Sequence, residues 1–227
     1  MKKYISLRAG ETVAWNMPEP YVTASVDDSP EPVRSQIKRW LTRPGPGVWI
    51  CGRSGAGKTR TATAIALELF RRGEDVVAVP WVSCFRWLRN YRMGLISEDE
   101  ALGRLMVPPV LLLDEISAFF MYWPLAADFR PVLKMRAEAG RPTIATSHIS
   151  ILDYVSFCDS EASNYLSGFI TLKLPPRSKR TQDWTRCESY ELRVIAQEMI
   201  QQGWLTPGAA SLEVPRRIAR LKGEPVF

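Results

Sequence analysis

The stretch VWICGRSGAGKTR, residues 48–60, decides the fold expected for this chain. Its central part, Gly52 to Thr59, matches the pattern G-x-x-x-x-G-K-[ST], which is typical of loops that cradle nucleotide phosphates. Four apolar residues precede the pattern, as expected of a buried parallel strand, and a helical pattern with one apolar face follows it. Strand, glycine-rich loop and helix thus stand in the order that a phosphate-binding loop requires.

The residues of this loop have distinct predicted roles. Its glycines let the backbone turn N–H groups inward and approach phosphate oxygens closely, and the helix start adds a partial positive charge. Lys58 is predicted to reach the β- and γ-phosphates, and the Thr59 hydroxyl to bind Mg²⁺. The predicted nucleotide-binding residues are Gly52, Arg53, Ser54, Gly55, Ala56, Gly57, Lys58, Thr59 and Arg60. The sequence therefore predicts a nucleoside triphosphate and Mg²⁺ as ligands.

A second segment, PVLLLDE at residues 109–115, carries two carboxylates at the end of an apolar run. Four consecutive apolar residues suit a central parallel strand that is buried on both faces. Asp114 and Glu115 would then lie at the carboxyl edge of the sheet, where ligands bind in open α/β folds. Asp114 is predicted to hold Mg²⁺, directly or through water, and Glu115 to orient and deprotonate an attacking water.

A third segment, PTIATSH at residues 142–148, predicts a strand that ends in three polar residues. We expect Thr146, Ser147 and His148 to project towards the γ-phosphate, where a polar group can sense hydrolysis. Ser147 and His148 therefore join Lys58 and Glu115 as the candidate catalytic residues. His148 is the only histidine of the chain, and a structural role for it stays open as the alternative.

The length of 227 residues suits one α/β core with short additions. We predict an N-terminal arm over residues 1–29, a core over 30–180, and a helical, basic C-terminal extension over 181–227. The first helix of the core is expected to begin with Ser29 as its N-cap and Pro30 in its first position.

Weaker patterns fill the intervals between the three motifs. They predict a strand over 76–79, helices over 83–93 and 125–138, a helix opened by Ser97, and a last strand over 168–174. The aromatic run at 118–123 is interpreted as core packing, with a partner-binding patch as the alternative.

Composition and charge restrict the class of protein. The net charge of +6 favours acidic partners such as nucleic acid. Basic clusters at 177–186 and 216–222 could contact DNA phosphates or simply form solvated surface. No apolar run approaches the roughly 18 to 20 residues that span a bilayer, and no signal core follows the first lysines. The four cysteines are too far apart to suggest a zinc site, so we predict a cytoplasmic protein without a membrane segment.

The order of these motifs resembles that of P-loop ATPases with an extra strand between the phosphate loop and the D-E strand. More narrowly, the chain resembles the DnaC/IstB group of AAA+ ATPases, which are replicative-helicase loaders and transposition helpers. The resemblance is carried by GRSGAGKT at 52–59, VLLLDE at 110–115 and RAEAGRPTIATSH at 136–148, and covers about residues 31–180.

This resemblance implies a three-layer αβα P-loop NTPase fold of the AAA+/ASCE type around a central, mainly parallel five-stranded sheet. It also implies ATP hydrolysis with Mg²⁺, an ATP-dependent homo-oligomer, and a partner that is DNA or a DNA-acting protein such as a replicative helicase or transposase.

The chain departs from the pattern of the group at two places. His148 stands where the group usually has asparagine. No arginine lies between Arg141 and Arg177, although the group places an arginine finger shortly before the last strand, so that Arg177 or Arg180 would have to supply one.

Two alternatives stay open: a small-molecule or nucleoside kinase with 177–186 as its lid, and an ATP-gated scaffold that hydrolyses little.

Overall fold

The computed structural model of the protein describes residues 4–9, 12–18, 21, 23–53, 55–116, 123–158 and 162–175. Its first two strands, β1 (Tyr4–Ala9) and β2 (Thr12–Pro18), pair with each other as an antiparallel hairpin. The hairpin lies within the predicted N-terminal arm, a segment whose sequence pattern does not predict paired strands. The domain boundaries themselves stay predictions.

The other strands form one parallel five-stranded sheet. They are β3 (Gly47–Cys51), β4 (Val76–Pro80), β5 (Val110–Asp114), β6 (Thr143–Ser147) and β7 (Phe169–Lys173), and their spatial order is β4-β5-β6-β3-β7. The strand that precedes the glycine-rich loop is thus next to the strand that ends in Thr-Ser, which in turn is next to the strand that ends in Asp114. All three carboxyl ends meet at one edge, as expected for parallel strands.

Among the described residues, seven α-helices pack around the sheet. They are α1 (Val33–Thr42), α2 (Lys58–Arg71), α3 (Trp81–Arg92), α4 (Glu98–Met106), α5 (Trp123–Glu138), α6 (Ile151–Cys158) and α7 (Ala162–Leu166). Since side chains alternate along a strand, Ile50 and Ile144 pack with α1 and α2 in one apolar cluster, while Trp49 and Ala145 pack with helices α3 to α7 in another. The three-layer αβα arrangement and the parallel five-stranded sheet are confirmed.

The start of the first helix differs from the prediction. Ser29 was expected to cap it, but α1 begins at Val33, and the residue before it, Pro32, makes no side-chain capping bond. Ser29 instead follows a short 3-10 helix, Val26–Asp28, whose own cap is a capping box between Ser25 and Asp28. The backbone N–H of Ser29 donates to the carbonyl of Val26, so this residue closes one short helix and does not open the next.

Several other predictions concern residues outside the described ranges. These are the aromatic run up to residue 122, the basic cluster at 177–186 and the C-terminal extension. In the described part of the chain, no helix combines the length and the apolar character needed to cross a membrane.

Candidate nucleotide-binding site

The glycine-rich loop connects β3 to α2 with the backbone geometry that its glycines permit. Gly55 and Gly57 have φ angles of 74° and 95°, which side chains other than that of glycine rarely tolerate. At Gly52 a Cβ atom would come within 2.9 Å of the carbonyl oxygen of Leu174. Because α2 begins at Lys58, the first N–H groups of that helix lie at the loop and provide donors for an anion.

Lys58 is buried within this loop, with only 6% of its surface exposed. Its Nζ atom donates to the carbonyl oxygen of Arg53 at 3.4 Å and contacts Nδ1 of His148 at 3.3 Å. A lysine ammonium group can only donate, so Nδ1 of the imidazole acts as the acceptor. The lysine predicted to bind phosphate is therefore in contact with the histidine predicted to sense it.

The second ring nitrogen of His148 faces the acidic pair. Its Nε2 atom lies 3.1 Å from Oε1 of Glu115. Since Nδ1 accepts, Nε2 carries the proton and donates a hydrogen bond to the carboxylate. Glu115 has a φ of 65° in the left-handed region, which is uncommon for a residue with a side chain and concentrates at functional sites. Its side chain is 42% exposed, so water can reach it.

Asp114 is held by two hydroxyl groups. Thr59 Oγ1 donates to Asp114 Oδ1 at 3.0 Å, and Thr146 Oγ1 donates to the same oxygen at 2.7 Å. Thr146 also accepts a hydrogen bond of 2.7 Å from the backbone N–H of Glu115. Burial raises the pKa of Asp114, while the two hydroxyl groups and the charge of Lys58 oppose that rise.

This donor set suits Mg²⁺. The ion prefers oxygen ligands and is commonly bound by one or two protein groups while it keeps several waters. Thr59 and Asp114 place a hydroxyl and a carboxylate oxygen in direct contact, so both can face one small cation. A divalent ion would also offset the cost of burying the Asp114 carboxylate, which is visible in its raised pKa.

Ser147 is a predicted site residue that the structure does not bring into this group. It is fully buried, and its Oγ accepts a 3.1 Å hydrogen bond from the backbone N–H of Ile149. Thr146, its neighbour along β6, instead contacts Asp114. The register of β5 and β6, with Leu113 opposite Ala145, is the signal that places Thr146 beside Asp114.

Three further predicted loop residues differ in their surroundings. Arg53 is exposed to solvent and Ala56 is buried, while Ser54 falls outside the described residues. Arg60 forms a 2.8 Å ion pair with Asp28 and so joins the start of α2 to the short 3-10 helix before α1.

Arg136 has a role at the opposite edge of the sheet that sequence reasoning did not assign. It is 1% exposed and donates to Thr143 Oγ1 at 2.8 Å. It also donates to the carbonyl oxygens of Leu105, Pro108 and Pro142 at 3.0, 2.8 and 2.7 Å. Burial lowers the pKa of Arg136 to about 10, so the guanidinium group stays charged at neutral pH. This residue fastens the end of α4 and the segments entering β5 and β6.

Searches against protein-family models and against curated proteins found no match. Similar folds occur among solved structures. A DnaI structure superposes with a TM-score of 0.58 at 23% identity, covering 70% of this chain and 95% of that one. The DnaC helicase loader gives 0.59 at 17%, covering 69% and 99%. AMPPCP-bound DnaA from Aquifex aeolicus gives 0.58 at 16%, covering 89% and 66%. At these identities the likeness establishes the fold alone, a three-layer αβα P-loop fold.

Proposed function

We propose that this protein is a Mg²⁺-dependent ATPase of the DnaC/IstB type, which couples the binding and hydrolysis of ATP to the assembly of DNA or DNA–protein complexes. One observation carries the proposal: two loop residues, Lys58 and Thr59, meet the acidic pair, Thr59 directly at Asp114 and Lys58 through His148 to Glu115. Such convergence is what a triphosphate and its metal would require. The bound nucleotide analogue in the similar DnaA structure supports ATP as the ligand.

The loop and Lys58 form the phosphate-binding part of the proposed mechanism. The N–H groups of the loop and the start of α2 donate to phosphate oxygens, and the Lys58 ammonium group lies at 3.4 Å from the Arg53 carbonyl, inside the loop. Thr59 and Asp114 would hold Mg²⁺. The ion, when bound, neutralises negative charge that develops on the phosphoryl oxygens.

Glu115 is the proposed general base. Its partly exposed carboxylate orients a water molecule and accepts a proton as that water attacks the γ-phosphate. His148 holds Glu115 through the Nε2–H donor at 3.1 Å. Thr146 fixes the Glu115 backbone through the 2.7 Å bond to its N–H, and thereby supports the left-handed conformation that directs the side chain.

The partner and the assembly state belong to the same proposal. DNA, or a DNA-acting protein such as a replicative helicase or transposase, is the proposed partner, in an ATP-dependent homo-oligomer within the cytoplasm. The fold shared with the DnaC helicase loader supports this assignment. An arginine finger would come from Arg177 or Arg180.

A second candidate function is that of an ATP-gated scaffold with little hydrolysis. The sequence observation in its favour is that no arginine lies between Arg141 and Arg177. Where an arginine finger is used, it contributes on the order of 10³–10⁵ in rate. A protein without one would bind ATP tightly and turn it over slowly.

Phosphate release under single-turnover conditions tests the proposal and separates the alternatives. We expect release from ATP and Mg²⁺ without any added acceptor, which a kinase would require, and a stimulation by DNA. Glu115→Gln should retain ATP binding but lose on the order of 10²–10⁴ in rate. Equal rates for wild type and Glu115→Gln would remove Glu115 from the mechanism. Tight binding with negligible release, with and without DNA, would select the scaffold.

A further inference from the structure

The segment between β6 and α6 contains only His148, Ile149 and Ser150, and it places the His148 ring against two partners. Contacts of 3.3 Å to Lys58 and 3.1 Å to Glu115 use both ring nitrogens. An imidazole can satisfy two such partners at once only if the backbone that carries it is held in place. The structure shows which groups hold it.

The residue next to His148 is bonded from two sides. The backbone N–H of Ile149 donates to Ser147 Oγ at 3.1 Å, and its carbonyl oxygen accepts a 2.9 Å hydrogen bond from Nε1–H of Trp49. Trp49 belongs to β3, the strand that leads into the phosphate loop, and is 100 residues away along the chain. The peptide groups on both sides of Ile149 are thereby fixed to the central sheet.

Both donor and acceptor side chains are themselves rigidly placed. Trp49 is 1% exposed and Ser147 is 0% exposed. The Trp49 ring packs against the Tyr154 ring of α6 with centroids 5.1 Å apart. Any large apolar side chain could fill the space that Trp49 occupies. A buried indole N–H also needs a hydrogen-bond acceptor, and here the acceptor is the carbonyl oxygen of Ile149, next to His148.

The other end of the segment is held as well. Ser150 Oγ accepts from the backbone N–H of Asp153 at 3.1 Å, and Asp153 Oδ2 accepts from the backbone N–H of Ser150 at 3.3 Å. This reciprocal pair is a capping box that opens α6. With Ile149 and Ser150 both fixed, little backbone freedom is left to His148.

We propose that Trp49 and Ser147 are positioning residues that clamp the Ile149 backbone and thereby set the His148 imidazole between Lys58 and Glu115. This inference rests on the proposed function, since it assigns these residues to the same ATPase site. It also gives Ser147 a role that fits its buried position: the residue acts through His148 and does not touch the nucleotide. Losing the clamp should impair the rate of hydrolysis more than the affinity for ATP.

The single histidine makes the proposal measurable without activity. Since this sequence has one histidine, the untagged chain gives a single set of imidazole signals in ¹⁵N-edited NMR spectra. We expect wild-type protein to show the Nε2–H tautomer. Trp49→Phe and Ser147→Ala should each lose that preference and give averaged ring-nitrogen shifts, while Ser147→Thr, which keeps the hydroxyl, should restore the wild-type spectrum.

Leu88→Ala is the matched control, because Leu88 is fully buried in the same apolar cluster as Trp49 but belongs to α3. It should lower thermal stability and leave the histidine signals unchanged. If Trp49→Phe failed to fold, Ser147→Ala, which removes one oxygen atom, would carry the test. Unchanged ring shifts in the folded clamp variants would overturn the proposal.

A double-mutant cycle links the clamp to hydrolysis. Ser147→Ala should lower kcat by on the order of 10- to 100-fold, as a small misplacement in a site can, and should have no further effect in the His148→Ala background. Additive losses would show that Ser147 acts independently of His148 and would overturn the proposal. Absence of hydrolysis in wild type would defeat the proposed function alone, because the NMR comparison tests the clamp by itself.

Discussion

Replacing Thr146 by valine removes one hydroxyl group that serves two parts of the site. That hydroxyl donates to Asp114 at 2.7 Å and accepts from the Glu115 N–H at 2.7 Å. A hydrogen bond to a charged group contributes about 1.5–3 kcal/mol, and a buried N–H without an acceptor costs about 1–3 kcal/mol. Asp114 keeps its bond to Thr59, and the valine methyl group gains burial. We therefore expect the free energy of unfolding to fall by about 2–4 kcal/mol.

Urea unfolding and thermal melting of the nucleotide-free protein measure this loss. A change of that size lowers the melting temperature of a chain this long by about 5–15 °C. In the same variant Glu115 loses the bond that supports its left-handed conformation, so kcat for ATP hydrolysis should fall as well.

Two variants provide the controls for this prediction. Thr146→Ser keeps the hydroxyl and should stay close to wild type in both measurements. Thr63→Val changes a threonine that is buried to the same degree one turn along α2 from Thr59. If Thr146→Val were no less stable and no less active than Thr63→Val, the role given to the Thr146 hydroxyl would be refuted.

Two further predictions concern charged residues on either edge of the sheet. Arg136→Met leaves the buried carbonyl groups of Leu105 and Pro108 without the Arg136 donor and takes one of two donors from Pro142, which keeps the N–H of Leu111. Because each unsatisfied buried carbonyl costs about 1–3 kcal/mol, the free energy of unfolding in urea should fall by about 2–5 kcal/mol; a loss below 1 kcal/mol would contradict this. Burial raises the pKa of Asp114 above its ordinary value, so the folded, metal-free protein binds this proton more tightly than the unfolded chain does. Its stability should therefore fall as pH rises from the ordinary carboxyl range through that raised pKa. Asp114→Asn should remove this fall, melt higher than wild type at pH 8 in EDTA, and lose the Mg²⁺-dependent stabilisation by ATP. If the melting temperatures of the two proteins changed with pH in the same way, the effect would be excluded.

The sequence predicted the sheet and the meeting of its motifs because local patterns and topology agree there. A glycine-rich loop between a strand and a helix, followed by an apolar strand with a carboxylate at its end, leaves little choice of fold. Lys58, Thr59, Asp114, Glu115 and His148 consequently lie together, although their catalytic and binding roles stay predictions.

The differences lie where the answer depends on direction or on distant partners. Thr146 and Ser147 are consecutive on a strand, so their side chains face opposite sides, and Ser147 could not share the surroundings of Asp114. The bond from Trp49 to the Ile149 carbonyl joins residues 100 positions apart, and no local pattern indicates it. Ser29 is of a residue type that is common at N-caps, but it follows the short 3-10 helix Val26–Asp28 and closes it, so it does not cap α1.

The central claim is that a triphosphate binds at the loop that ends in Lys58 and Thr59. Titration calorimetry with ATP and Mg²⁺, on wild type and on Lys58→Ala, tests it most directly. We expect saturable binding by wild type and a loss of about 10- to 100-fold or more in Lys58→Ala, because a hydrogen bond to a charged group contributes about 1.5–3 kcal/mol and about 1.4 kcal/mol is tenfold in affinity. Equal affinities for the two proteins, or no binding by wild type, would contradict the account.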